Sequence, residues 1–298
     1  MNRIFLCIIP LFLILKAHGQ ELQNIPRLKV SLNAGYATEK LSWSIAGNAM
    51  GTSPNVYSEL IWKNLKGTAI GINLKYQYLG KFFIEGQYRS KHTNSGWVND
   101  TDYGADNRTF PTYTTTLNTH GGSSNNFSAG TGYDLPLTKK LHLAGSIGYV
   151  RDQQRLLIND TKSSNNLLKS SYETDWTGAY IKLEPEYQLS NLIRISAGIS
   201  YQQQNYKAKG NWNLRDDFQQ PLSYSHHAKG YSLNNHLNVS IKVYKNLFVR
   251  LDGNYQTWET GNGTDKLFLI TGKTPQTRLN EVNSSAYRFS SGVEMRFY

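Results

Sequence analysis

A single cysteine among 298 residues rules out a disulfide framework. It is Cys7, inside an apolar N-terminal run, so loss of that run would leave a chain without thiol chemistry. Proline and methionine are scarce, at 8 and 3 residues. Beyond the N-terminus no segment approaches the ~18 consecutive apolar residues of a membrane helix, which excludes a helical span. Acidic residues are short as well: 21 Asp and Glu stand against 32 Lys and Arg, a formal net charge of +11. Such an excess calls for an anionic partner, yet no basic cluster or recognition motif directs it to nucleic acid.

What the chain has begins with a leader. Asn2 and Arg3 precede an apolar stretch from Ile4 to Leu15, and Lys16-Ala17-His18-Gly19 follows, with small residues where a signal peptidase reads. This is the tripartite pattern of a secretory signal. The expected organisation is a signal peptide over residues 1–19 and a single domain over residues 20–298, and Cys7 stands in the wrong place for a lipid anchor.

The remainder is rich in tyrosine (20 residues) and glycine (25) and alternates with period two from end to end. Val30, Leu32, Ala34 and Tyr36 interleave with Lys29, Ser31, Asn33 and Gly35; Ile70, Ile72, Leu74, Tyr76 and Tyr78 do the same with Gly71, Asn73, Lys75 and Gln77. Similar rows start at Leu141, Ile193, Leu237 and Leu247. Connections alternate in length: tight turns at Leu79-Gly80, Pro136-Leu137-Thr138, Ser190-Asn191 and Lys245-Asn246, and long polar stretches near 38–55, 92–118, 158–171, 205–224 and 258–284. Composition alone would also suit a soluble secreted β-sandwich, but short turns on one side and long loops on the other describe a barrel. The expected fold is all-β, a transmembrane antiparallel up-and-down β-barrel of about ten long strands in a bacterial outer membrane, loops outside. The last strand agrees: Tyr287, Phe289, Val293, Met295 and Phe297 alternate with Arg288, Ser290, Gly292, Glu294 and Arg296 before Tyr298. In that membrane the phosphates of lipopolysaccharide are the expected anionic partner, and no other cofactor and no metal is expected.

Chemistry concentrates in Gly96-Trp97-Val98-Asn99-Asp100-Thr101-Asp102-Tyr103, two carboxylates two residues apart between aromatic rings. Asp100 and Asp102 could share a proton, hold a water, bind a cation or keep a loop soluble. Together with Tyr57-Ser58-Glu59-Leu60-Ile61-Trp62-Lys63, this stretch resembles the omptins, surface proteases on ten-stranded outer-membrane barrels. The first motif is similar to the family's S-x-L-D-W-K and the second to its V-D-x-D-W. The resemblance implies an aspartic-type endopeptidase in which Asp100 and Asp102 are one catalytic pair, facing an Asp-x-His pair from the fourth loop across a water.

That second pair is missing. Asn213 and Arg215 fall where the Asp and His would stand, in a loop without histidine. Arg cannot act as a base near neutral pH, and Asn cannot orient an imidazole as an anion does. His226 or His227 could substitute only from a strand position further along, where one of the two must face the lumen. The resemblance also implies a substrate-binding role for Glu39 and lipopolysaccharide contacts near Tyr149 and Arg151, with Arg155 and Arg194 as further cations. Two functions stay open, a surface endopeptidase with an unidentified base and a non-catalytic barrel serving adhesion or ligand binding. A diffusion pore is disfavoured, because so narrow a barrel fills with its own side chains.

Overall fold

The computed structural model describes residues 26–159 and 167–298, so the expected signal peptide lies outside the described residues. Twelve antiparallel strands follow in order: β1 (Leu28–Ile45), β2 (Ser58–Leu79), β3 (Phe82–Ala105), β4 (Thr109–Asn118), β5 (Ser123–Pro136), β6 (Leu141–Asn159), β7 (Lys169–Gln188), β8 (Ile193–Asn211), β9 (Tyr224–Tyr244), β10 (Leu247–Thr260), β11 (Gly263–Leu267) and β12 (Gln276–Phe297). No helix among the described residues is long and apolar enough to cross a membrane. Each strand pairs with at least one of its sequence neighbours, and β1 also pairs with β12 from Leu28↔Phe297 to Ile45↔Leu279, which closes the ring.

The twelve strands make ten staves. β4 and β5 both lie against β3, above and below an interruption, and β11 continues the line of β10 by pairing with both β9 and β12. At the level of the belt β5 fills the place between β3 and β6 and the ring is continuous, the condition for a sheet to sit in lipid where no water can satisfy backbone groups. The alternation fixes which side faces out. On the outer wall Leu32, Ile70, Leu74, Ile84, Ile147, Ile181, Leu183, Ile199, Leu237 and Leu251 are exposed in an apolar belt. Tyr36, Tyr88, Tyr149, Tyr201 and Tyr255 rim one edge of it, and Tyr78, Phe82, Tyr133, Tyr187 and Phe297 the other. This is the double aromatic girdle of a membrane barrel. Phe297, not Tyr298, closes the lipid-facing row, since Phe297 pairs with Leu28 and Tyr298 follows the strand.

The turns of the short end are as expected, with Gly80 at φ +55°, a left-handed conformation that glycine adopts without strain. The long polar stretches differ from expectation. β1, β3, β8 and β12 run deep into the segments taken as loops, so the barrel stands well beyond its belt. Polar side chains mask strand there because above the belt both faces can be hydrophilic.

Inside, the lumen has two zones. Toward the long-loop end a continuous buried cluster gathers Leu41, Trp43, Leu60, Trp62, Leu65, Val98, Tyr172, Trp176, Tyr206 and Trp258 from six of the staves. Trp62 stacks on Tyr172 at 5.4 Å between ring centroids. Toward the short-turn end the lumen is polar, a cavity of about 200 Å³ walled by charged side chains. These are interlocked: Lys75–Asp134 (2.8 Å), Lys182–Glu85 (2.7 Å), Arg250–Glu294 (2.7 Å) and Lys29–Glu186 (3.3 Å).

Candidate functional site

Asp100 and Asp102 belong to strand β3, not to a loop. Asp100 pairs with Leu60 of β2 and Asp102 with Ser58; since Leu60 and Trp62 are buried in the lumen, both carboxylates share the inward face, on the long-loop side of the aromatic cluster. On the other flank they pair with Thr115 and Tyr113 of β4. The tip beyond them is clamped to the first loop: Asn55 N donates to Asp106 Oδ1 (2.7 Å), Asn107 N donates to Asn55 Oδ1 (2.7 Å), and Arg108 donates twice to Glu59 (3.1 and 2.8 Å). Asp106 is thus part of a loop clamp.

Burial comes first and the neighbouring Asp102 carboxylate second in pushing the Asp100 carboxyl up to about 7. Its Oδ1 is buried without a hydrogen-bond partner. The Tyr113 phenol is also held above its ordinary value, by burial and then by the charge of Asp100. The pair can therefore hold one proton at neutral pH, as two adjacent carboxylates do when ionising both is unfavourable.

Arg215 and Asn213 sit differently from each other. Arg215 is held by Asp217 through two contacts of 3.0 Å and lies over the Phe218 ring at 4.5 Å. Its guanidinium is kept above its ordinary pKa chiefly by Asp217, with lesser influence from Tyr57 and Asp102 across the mouth. Asn213 is occupied in packing: Lys169 N donates to its Oδ1 (2.8 Å) and its Nδ2 donates to Leu167 O (2.7 Å), pinning the fourth loop to the start of β7.

Of the two adjacent histidines, His226 turns inward and His227 outward. His226 is 0% exposed. Its Nδ1 meets the Tyr172 hydroxyl at 2.7 Å, and that hydroxyl in turn meets Tyr206 at 2.5 Å. Its Nε2 stands 3.1 Å from Asp265 Oδ1, off the line of a hydrogen bond. Asp265 comes from β11, the strand inside the fifth loop, and accepts from Thr277 Oγ1 at 3.0 Å. Trp43 and Tyr224 complete the surroundings, with ring centroids 5.0 and 5.1 Å from the imidazole. The Tyr224 phenol is raised well above its ordinary value, by burial first, then by the charges of Asp265 and Asp100. Sequence reasoning missed this Asp265–His226–Tyr172–Tyr206 group. Strand parity required one of His226 and His227 to face inward without choosing between them, and nothing in a polar loop marks Asp265 as a strand residue.

Two expected site residues are placed in other roles. Glu39 is 5% exposed, with Lys91 at 2.9 Å, and it accepts from Ser124 (2.6 Å) and Gln154 (3.1 Å). A carboxylate so enclosed and so paired is an internal ion pair, not an open subsite. Arg194, expected on the outer wall, faces the lumen near the short turns and pairs with Glu186 at 3.3 Å. Tyr149 and Arg151 do lie outside, and Arg151 grips Asp175 at 3.0 and 2.6 Å. Among the described residues no three His, Cys, Asp or Glu side chains gather to hold a metal ion.

A closed ring of ten staves, an apolar belt between two aromatic rims and a polar lumen define an outer-membrane β-barrel. The chain belongs to the Protochlamydia outer membrane protein family, whose model matches residues 31–297. No curated protein matches it by sequence. Among solved structures it is similar to the outer membrane protease OmpT from Escherichia coli, at TM-score 0.71 and 12% identity over 91% of this chain and 96% of that one. A second similarity is to the outer membrane protein OprG from Pseudomonas aeruginosa, at TM-score 0.41 and 11% identity over 91% and 97% of the two chains. At 12% identity the likeness to OmpT lies in the fold.

Proposed function

We propose that the protein is a non-hydrolysing surface barrel on an omptin-like plan, which presents its long-loop end to the cell exterior as a rigid face for adhesion or ligand binding. The observation that carries this reading is the missing base. Peptide hydrolysis by a held water needs an acceptor for the water's proton opposite Asp100 and Asp102. The group that bears on Asp102 from the fourth loop is the Arg215 guanidinium, a permanent cation. The one candidate substitute on an inward strand position, His226, is 0% exposed, with Nδ1 held by the Tyr172 hydroxyl and Nε2 3.1 Å from Asp265, enclosed away from the acidic pair's open side.

A second reading, an aspartic-type endopeptidase, is favoured by one feature. The Asp100 carboxyl, pushed up to about 7 by burial and then by Asp102, is placed where a carboxyl can serve as a proton donor or acceptor at neutral pH. One assay separates the two. The full chain, refolded with lipopolysaccharide and offered peptides with paired basic residues from pH 5 to 9, should leave them intact; cleavage that Asp102→Asn abolishes would replace the first reading with the second.

Lipopolysaccharide fits the outer wall in either case. Arg151 stands two residues above Tyr149 at the belt edge, and the ladder Arg151↔Thr177, Thr177↔Asn205, Asn205↔Lys229 puts Lys229 on the same outer face. Basic side chains just above a tyrosine rim are suited to lipid phosphates.

A further inference from the structure

Most charged side chains that line the described lumen sit in salt bridges, but Arg89 and Arg288 form none and feel only more distant carboxylates. Arg89 of β3 and Arg288 of β12 line a small cavity of about 30 Å³ together with Asp152, Trp176 and Trp258, just beneath the aromatic cluster. The carboxylates around them are committed to other partners: Glu39 to Lys91 at 2.9 Å and Asp252 to Arg250 at 2.7 Å. Asp152 is capped by neutral donors, Asn126 (2.7 Å), Gln204 (3.1 Å) and Trp258 (3.3 Å), rather than by a cation. Arg89 donates to the side-chain oxygen of Gln87, a neutral acceptor, at 2.7 and 3.1 Å. Arg288 Nε is buried with no hydrogen-bond partner.

The local balance is positive. Arg89, Arg288 and Lys91 stand against Glu39 and Asp152, which leaves one cationic charge uncompensated. A buried guanidinium with idle N–H groups is costly unless an acceptor satisfies it, and here a second guanidinium repels it from across the same space. The cavity exceeds the ~10–15 Å³ that one water-sized particle needs but is too small for a polyatomic organic anion. Arg89, Asn126 and Asn254 line both this cavity and the larger polar one below it, so the two adjoin and a small ion has a polar route in.

We propose that this cavity is a binding site for one monovalent inorganic anion of halide size, held between Arg89 and Arg288. The anion neutralises the surplus charge and accepts the unpartnered Arg288 N–H, so it fixes β3 to β12 across the lumen. Its binding to the folded barrel alone would raise stability with anion concentration, as linkage requires.

The test uses the refolded full chain in detergent. Thermal unfolding is measured in sodium chloride, sodium bromide and sodium gluconate at equal ionic strength, and crystals are soaked in bromide. The halide salts should give the higher unfolding temperature, rising to a plateau with concentration, and Arg288→Gln should erase the difference between salts. A bromide anomalous peak should lie between the two guanidinium groups. Equal unfolding temperatures in the three salts with no such peak would overturn the site, as would a halide effect that survives in Arg288→Gln. If that variant fails to fold, the bromide peak in the natural protein decides alone.

Discussion

At the scale of single residues, the mouth is governed by desolvation more than by proximity of charge. Asp100 is pushed to about 7 first by burial and only then by Asp102. Its folded-state pKa is thus raised above the ordinary 3.8, so the protonated carboxyl favours folding at low pH. That contribution is fully present below about 4 and is lost as pH rises through about 7. The expected measurement is a carbon-13 titration of the Asp100 carboxyl with a midpoint near 7. In Asp102→Asn the midpoint should fall yet stay above the ordinary value, because the larger cause remains; a fall all the way would reverse the ranking of the two causes. The sequence displayed the Asp-x-Asp pair and the loss of its partners at Asn213 and Arg215. It could not display that Asn213 is turned toward the start of β7, since that depends on hydrogen bonds to Leu167 and Lys169.

At the scale of elements, strands are joined by paired backbones on their flanks and by buried charges across the lumen. Glu39 of β1 and Lys91 of β3 are separated along the ring by β2 and meet inside at 2.9 Å. Lys91 also donates to Leu65 O at 3.0 Å, where β2 bulges. Removing one member of such a pair leaves the other charge buried and uncompensated, a loss of about 3–5 kcal/mol. Lys91→Met should therefore weaken folding by that order, read from urea equilibria in lipid vesicles, and Glu39→Gln added to it should recover most of the loss. Recovery would identify Glu39 as structural; a double variant as weak as the single would instead point to packing by Lys91. Membrane-level strands were legible from alternation, because lipid demands apolar residues on one face only. Their extensions were not: Gly96 to Tyr103 reads as loop by composition, and its pairing with β2 and β4 makes it strand.

At the scale of the whole molecule, closure is sideways and also lengthwise. The ring is sealed by β1 against β12, and the lumen is blocked toward the long-loop end by the cluster of Trp43, Trp62, Tyr172, Trp176 and Trp258. In planar bilayers the refolded protein should pass no steady ionic current; stepwise conductance would show that the cluster does not seal. The sequence by itself determined the barrel, its two unlike ends and the lipid-facing row, because period-two patterning is imposed residue by residue by the solvent on either side of a sheet. Only the tertiary structure decided the inside. Which lumen residues meet depends on stagger and closure of the whole ring, so the enclosure of His226 by Asp265 and Tyr172, the Glu39–Lys91 pair and the unmatched Arg89 and Arg288 arise from residues far apart in the chain.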